Sequence, residues 1–272
     1  MSTLFYSLSY KTGVDWVEYR RLFDDQLSNN NFELGFLSLA NIFSYMNINF
    51  WIFIFIIKIV FISSLFYFVW KFCDYPSIAI CMIIGLLFPF FNDPIRQLIA
   101  ATMLFSSVSI IKNSPGYINI LIGSLFHSSY ALLLFSKLKK ISKKIIIIVT
   151  LTLISIIIVT MKNPQLIQIV GDNFLTRKLL FYISYASPPN LYSLALRIFF
   201  ISYICISKKV QNTNKRNMPY NTYSLFWVLS FFLLLTEIIA FELPILSQRL
   251  RIYLIPFPII MFLNYIFSQR VL

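Results

Sequence analysis

Residues 48–70 read INFWIFIFIIKIVFISSLFYFVW, with Lys58 the single charge in the run. A stretch of this length and polarity is long enough for a helix to cross the ~30 Å hydrocarbon core of a bilayer. There a helix satisfies every backbone N–H and C=O within itself. Further apolar stretches follow it: Ser77–Phe91, the segment from Pro94 to Ile111, Tyr117–Phe135, Ile145–Met161 and Leu179–Ala186. Leu191–Ile206, Tyr223–Phe241 and Ile252–Phe267 complete the series. Over 272 residues the chain is 58% hydrophobic and only 12% charged, with mean hydropathy +0.77. A soluble domain carries roughly 25% charged residues, because it must cover its outside with polar groups. The reading is an all-α, polytopic helical membrane protein with about seven or eight membrane segments. A single integral membrane domain spans 1–272: an amphipathic acidic preface, 1–46, and a membrane bundle, 47–272.

The net charge of +13 does not point to nucleic acid, because the cations stand in short runs between apolar stretches. Cys73, Cys81 and Cys205 have no metal-ligand or redox spacing and read as small buried hydrophobes. The polar N-terminus shows no cleavable signal peptide, so insertion is expected to rely on internal spans. The 18% aromatic content is assigned mostly to interfacial belts and lipid-facing packing.

Two basic clusters set the orientation: Lys137, Lys139, Lys140, Lys143 and Lys144, then Lys208, Lys209, Lys215 and Arg216. Both should be cytoplasmic. Working backwards from the first raises a conflict. If Tyr117–Phe135 crosses fully, the preface and the Asp93–Arg96 turn lie inside. If it enters and returns, the preface and that turn face outside, with Lys71 and Lys112 inside. The second reading is preferred. It makes 117–136 a re-entrant segment, kinked near Gly123 and His127.

Ionisable groups within apolar stretches are costly, and they mark functional candidates. Arg96 follows Asp93 by three residues, so the two could form a solvated helix-end pair. Equally, the guanidinium fork of Arg96 suits a phosphate. His127, the only histidine, either hydrogen-bonds across a helix pair or serves a ligand or proton-transfer role in a polar cavity. No His, Cys or acid spacing supports a metal site. Arg249 and Arg251 either snorkel to the interface or hold an anion. Lys58, Arg197 and Glu237 read as cavity-facing or snorkelling. The preface carries five of the ten acids, Asp15, Glu18, Asp24, Asp25 and Glu33. There the string Gly13-Val14-Asp15-Trp16-Val17-Glu18-Tyr19 sets acids beside aromatics, a setting that can hold a sugar face.

That string resembles the G-[TV]-D-[YW]-x-x-Y signature of the EpsG family, the Wzy-type polymerases of bacterial O-antigen, capsule and exopolysaccharide. Phe32-Glu33-Leu34-Gly35-Phe36 is similar to its E-x-G-[FY]. Ile95-Arg96-Gln97-Leu98-Ile99-Ala100 resembles I-R-Q-x-x-A, and Phe126-His127-Ser128-Ser129 resembles F-H-x-S. Arg249-Leu250-Arg251-Ile252-Tyr253 resembles the R-[LI]-x-x-Y opening of a late span. Family members usually carry a span ahead of the first motif. This chain begins a dozen residues before it, as expected of a start internal to a longer reading frame or of a shortened form.

The resemblance implies transfer of a glycan from undecaprenyl diphosphate onto a fresh lipid-linked repeat unit. The reaction would take place at the outer face of the bacterial inner membrane, in a multi-pass protein compatible with a GT-C-like architecture. It implies Asp15, then Glu33, as general base, and His127 in diphosphate binding or acceptor orientation. Arg96, Arg249 and Arg251 would face the diphosphate, with Gln97, Trp16, Tyr19 and Tyr253 completing the substrate-binding set. No cofactor and no nucleic acid is expected. The partners are the undecaprenyl-diphosphate-linked oligosaccharide, the bilayer and a chain-length regulator. Two other readings stand beside this one: a transporter or flippase of lipid-linked sugars, and a membrane acyltransferase with His127 as base.

Overall fold

The computed structural model describes residues 16–25, 33–87, 95–111, 115–140, 145, 148, 152, 189–241 and 244–269. Asp15, Asp93 and most of the expected spans at Ile145–Met161 and Leu179–Ala186 lie outside these residues. All regular structure among the described residues is helical. In chain order the α-helices are α1 Trp16–Asp25, α2 Leu34–Tyr45, α3 Phe50–Phe72, α4 Pro76–Leu87, α5 Ile95–Ile111 and α6 Tyr117–Phe126. A 3-10 helix, Ser128–Lys140, follows, then α7 Leu191–Ile206, α8 Lys208–Asn217, α9 Tyr220–Ile238, α10 Pro244–Leu254 and α11 Pro256–Ser268.

Among the described residues two helices, α3 and α9, are long and apolar enough to cross a membrane; there are up to four spans if each of two bent pairs is one. The all-α membrane class therefore stands, with several segments shorter than the hydropathy suggested. At 23 residues α3 is ~35 Å long. Its start is well specified. Asn47 takes φ 55°, the left-handed region that asparagine tolerates. This lets Ile48 N–H reach Phe43 O and Asn47 N–H reach Ser44 O, closing α2. Two residues later Asn49 Oδ1 accepts the Trp51 N–H at 2.8 Å and opens α3. The bent pairs have local causes. Ser207 caps a fresh helix, and α8 turns 62° from α7. Pro256, which lacks an N–H, begins α11 at 48° to α10.

Helices α3 and α5 run in the same direction. Ser64 Oγ donates to Thr102 O at 3.1 Å and meets Ser106 Oγ at 3.1 Å, and Lys71 Nζ donates to Ser109 O. That register puts Arg96 level with Lys58, about 12 Å in from the start of α3. The core between them is aromatic. Phe68 packs against Phe105, Phe226 and Phe257 at 5.1, 5.7 and 5.3 Å, and all four rings are buried. Much of the aromatic excess thus fills the interior rather than belts, because flat rings pack the gaps between helices densely.

The chain reverses at His127, whose backbone is extended (φ −156°, ψ 121°). Tyr130 then lies back on α6. Its hydroxyl donates to Asn119 Oδ1 at 2.8 Å, and its ring covers Gly123, where a Cβ would meet it at 2.3 Å. Further along, Lys137 donates to Pro115 O and stands 4.6 Å over the Tyr117 ring. So 117–137 folds back as a hairpin whose two ends meet, the shape that the preferred re-entrant reading expects. At the Lys71 end, Asn264 bonds Phe72 O and the Asp74 N–H at 2.9 and 3.1 Å. Asp74, Arg216 and Gln269 there share one cavity of about 400 Å³.

Candidate functional site

The site lies at the other half of α3, where residues of five sequence-distant motifs meet. Arg96, at the start of α5, makes an ion pair through Nη1 with Glu33 Oε2. Its Nε stands 3.4 Å from the Tyr19 hydroxyl, with the Tyr19 ring 5.7 Å from the guanidinium carbon. Glu33 precedes α2, and its second oxygen accepts the Ser128 N–H at 3.3 Å, just past the hairpin apex. A close approach of backbones makes this reach short. A Cβ on Gly35 would meet Leu125 O at 2.9 Å, so glycine lets α2 lie against the end of α6.

His127 is buried at that apex. The Ser129 N–H points at Nδ1 (3.2 Å) and Ser129 Oγ lies 2.7 Å from the same atom. Nδ1 is therefore the acceptor, and the proton of a neutral imidazole sits on Nε2. Nε2 faces the amide nitrogen of the fully buried Gln97 at 3.4 Å, while Gln97 Oε1 has no partner. Rotating the amide brings that oxygen to the imidazole N–H and satisfies it. Ser129 Oγ also lies 3.4 Å from the Tyr253 hydroxyl, and the Tyr130 and Tyr253 rings meet at 6.1 Å. The charges of Glu33, Arg249 and Arg96 all act on that hydroxyl. Arg249 and Tyr253 are four residues apart on α10 and share a face.

Arg251 stands on the opposite face of α10. Its Nε and Nη2 fork onto Glu237, with Nη2 at 3.0 Å from Oε2 and 3.2 Å from Ser247 Oγ. Arg197 Nε reaches the same carboxylate at 2.9 Å, and its Nη1 lies 3.1 Å from Ser193 Oγ. This Arg–Glu–Arg group ties α7, α9 and α10 together, and Glu237 is fully buried within it.

Of the residues expected at the site, Glu33, Arg96, Gln97, His127, Tyr19, Tyr253 and Arg249 come together. Arg251 does not join them. Trp16 is on the same helix as Tyr19 but packs on Trp51, ring centroids 5.5 Å apart. Arg96 pairs with Glu33; the Asp93 contact that the sequence suggested falls on a residue outside the described ones. Ser128 and Ser129 were legible only as neighbours of His127. Their backbone and hydroxyl groups turn out to hold Glu33 and the imidazole. The Ser-x-x-x-Arg spacing of Ser193–Arg197 and Ser247–Arg251 was the one local sign of the second arginine group.

The group that converges here is built from the motifs of one family, and that family matches residues 1–271. The chain belongs to the EpsG family. This is a Wzy-type, polysaccharide-polymerase-like family, and its motifs are the ones that meet around Arg96. No curated protein and no solved structure shows significant similarity to this EpsG-family chain.

Proposed function

We propose that this chain is a polysaccharide polymerase. It joins undecaprenyl-diphosphate-linked repeat units at the outer face of the bacterial inner membrane. The supporting observation is the meeting of Glu33, Arg96, His127 and Tyr253 from four separate motifs at one depth in the bundle. The cation-rich end holding Lys71 and Arg216 faces the cytoplasm in this reading, which leaves the Arg96 group toward the outer leaflet.

In the reaction an acceptor sugar hydroxyl attacks the anomeric carbon of the donor glycan. The new C–O bond forms as the anomeric carbon–diphosphate bond breaks. The diphosphate leaves with the electron pair, and the hydroxyl proton passes to a base. Arg96 and Arg249 offer guanidinium N–H groups to the growing phosphate charge, an effect strongest where water is excluded. Both oxygens of Glu33 are already taken up, by Arg96 and by the Ser128 N–H. That favours a positioning role for Glu33 and leaves Asp15 as the base. The buried His127, its Nε2 proton shared with Gln97 and its Nδ1 held by Ser129, orients the groups around the acceptor and the phosphate. Gln97 sets that tautomer, and Tyr19 and Trp16 offer aromatic faces to sugar. A chain-length regulator is the expected protein partner.

The Ser129–His127 contact at 2.7 Å would also suit acyl transfer, and glycan gels separate the two readings. A deletion strain carrying Asp15→Asn, Arg96→Ala or Arg249→Ala should show single repeat units in place of the polymer ladder, with protein level unchanged. Ladders of normal length with altered decoration, or wild-type ladders from all three variants, would refute the polymerase.

A further inference from the structure

A second feature sits at the start of α3, about two helical turns from the level of Arg96. Tyr19 and Phe23 are four residues apart on the inner face of α1, about 6 Å along its axis. Tyr19 contacts Arg96, while Phe23 forms part of the wall of a cavity of about 300 Å³. This cavity lies between α1, the α2–α3 turn and the start of α3. Its remaining wall includes Arg20, Asp24, Asn47, Asn49 and Trp51.

The chemistry of that lining is specific. Arg20 and Asp24 pair at 3.1 Å on the exposed face of α1, each about half exposed, so both keep hydrogen-bonding capacity toward the cavity. Asn49 uses Oδ1 to cap α3, which leaves its amide N–H groups for another acceptor. Asn47 is held in its left-handed conformation by the close of α2, so its side chain is presented on a rigid turn. Trp51 is braced by Trp16 at 5.5 Å and Phe50 at 5.0 Å. Planar carboxylate and amide groups that bond paired hydroxyls, next to a braced aromatic face that covers C–H groups, are the chemistry that recognises a sugar ring. A phosphate would find one cation facing one carboxylate here, which disfavours it.

We infer that this cavity is a glycan-holding subsite, which retains the sugars next to the reacting unit between successive additions. The inference rests on the polymerase reading and extends it from the joining step to the length of the product. A glycan whose reacting end lies at Arg96 passes Tyr19 and meets Asp24 about 7.5 Å further along α1, across the cavity from Trp51. Retention there lengthens the stay of a growing chain and raises the number of additions per encounter. Loss of the subsite should then shorten the product without slowing the first joining event.

The test measures two quantities on membranes carrying full-length protein: the rate at which two repeat units are first joined, and the modal length of the polymer. Trp51→Ala and Asp24→Asn should leave the first rate within twofold of wild type. Modal length should fall by about fivefold, the loss of retention expected from one aromatic contact. Trp51→Phe, which keeps an aromatic face, should restore most of the length. Unchanged length in both Trp51→Ala and Asp24→Asn would overturn the subsite, as would first joining and length failing together in proteins that insert normally. Wild-type ladders from Asp15→Asn, Arg96→Ala and Arg249→Ala alike would instead overturn the polymerase reading, so the two failures are distinguishable.

Discussion

Arg96 shows what a residue-level reading reaches and where it stops. A charge at the head of an apolar helix costs roughly 2.5–3.5 kcal/mol at mid-membrane, and this cost marked it for function. Sequence proximity offered only Asp93 as a partner; the fold adds Glu33, 63 positions away. Local spacing reports contacts one turn away and is silent on those between helices. Arg249 and Arg251 repeat the lesson. The Arg-Leu-Arg string read as two cations at one site. It is helical, so the two point to opposite sides, and a helical projection of 249–253 would have separated them. Two predictions belong here. Arg96→Lys should not restore polymer, because an ammonium loses the fork that spans Glu33 and Tyr19; a glycan gel reads this directly. Glu237→Ala should cost about 3–5 kcal/mol, since it leaves two guanidinium groups in the bundle without their carboxylate. Its thermal midpoint in detergent should fall well below that of Glu33→Ala, whose ion pair is less deeply buried.

Among the elements, the span at residues 48–70 was legible because hydropathy, length and the Asn49 cap agree on one helix. The hairpin at 117–137 was not legible from hydropathy, which sees one apolar stretch. It was legible from charge, because full crossing put the acidic preface on the cytoplasmic side. Gly123 permits it, because a position without a Cβ lets the Tyr130 ring lie so closely. Gly123→Ala therefore forces a 2.3 Å contact, and the hairpin must open or shift. A destabilisation of ~1–3 kcal/mol is expected, with His127 displaced and polymer lost. Adding Tyr130→Ala should recover part of the stability by vacating the space. Limited proteolysis between Phe126 and Lys140 would follow the opening. The lengths of α4 and α6 and the break at Pro256 lay beyond the sequence reading, since apolar composition does not say where a helix meets another and ends.

On the scale of the whole molecule, the helix bundle has two ends with different chemistry: cations around Lys71, Lys137 and Arg216, and the motif cluster around Arg96. Cysteine labelling from outside intact cells should modify a single cysteine placed at Asn31 and leave one at Asn217 unmodified. The buried native cysteines, Cys73 and Cys205, interfere little. Cys73, beyond the end of α3, is buried, and that burial pushes its thiol up to about 11. It stays protonated and unreactive at neutral pH, gaining reactivity only as pH approaches that value. Cys81 is exposed on α4 and needs replacing first. The central claim is that Arg96 and Arg249 together hold a lipid diphosphate. A structure of the full chain in a lipid nanodisc with undecaprenyl diphosphate measures this most directly. The account predicts phosphate density between the Arg96 and Arg249 guanidinium groups, beside His127 and Tyr253. Density instead at the cavity lined by Arg216 and Asp74, or phosphates touching neither Arg96 nor Arg249, would contradict it.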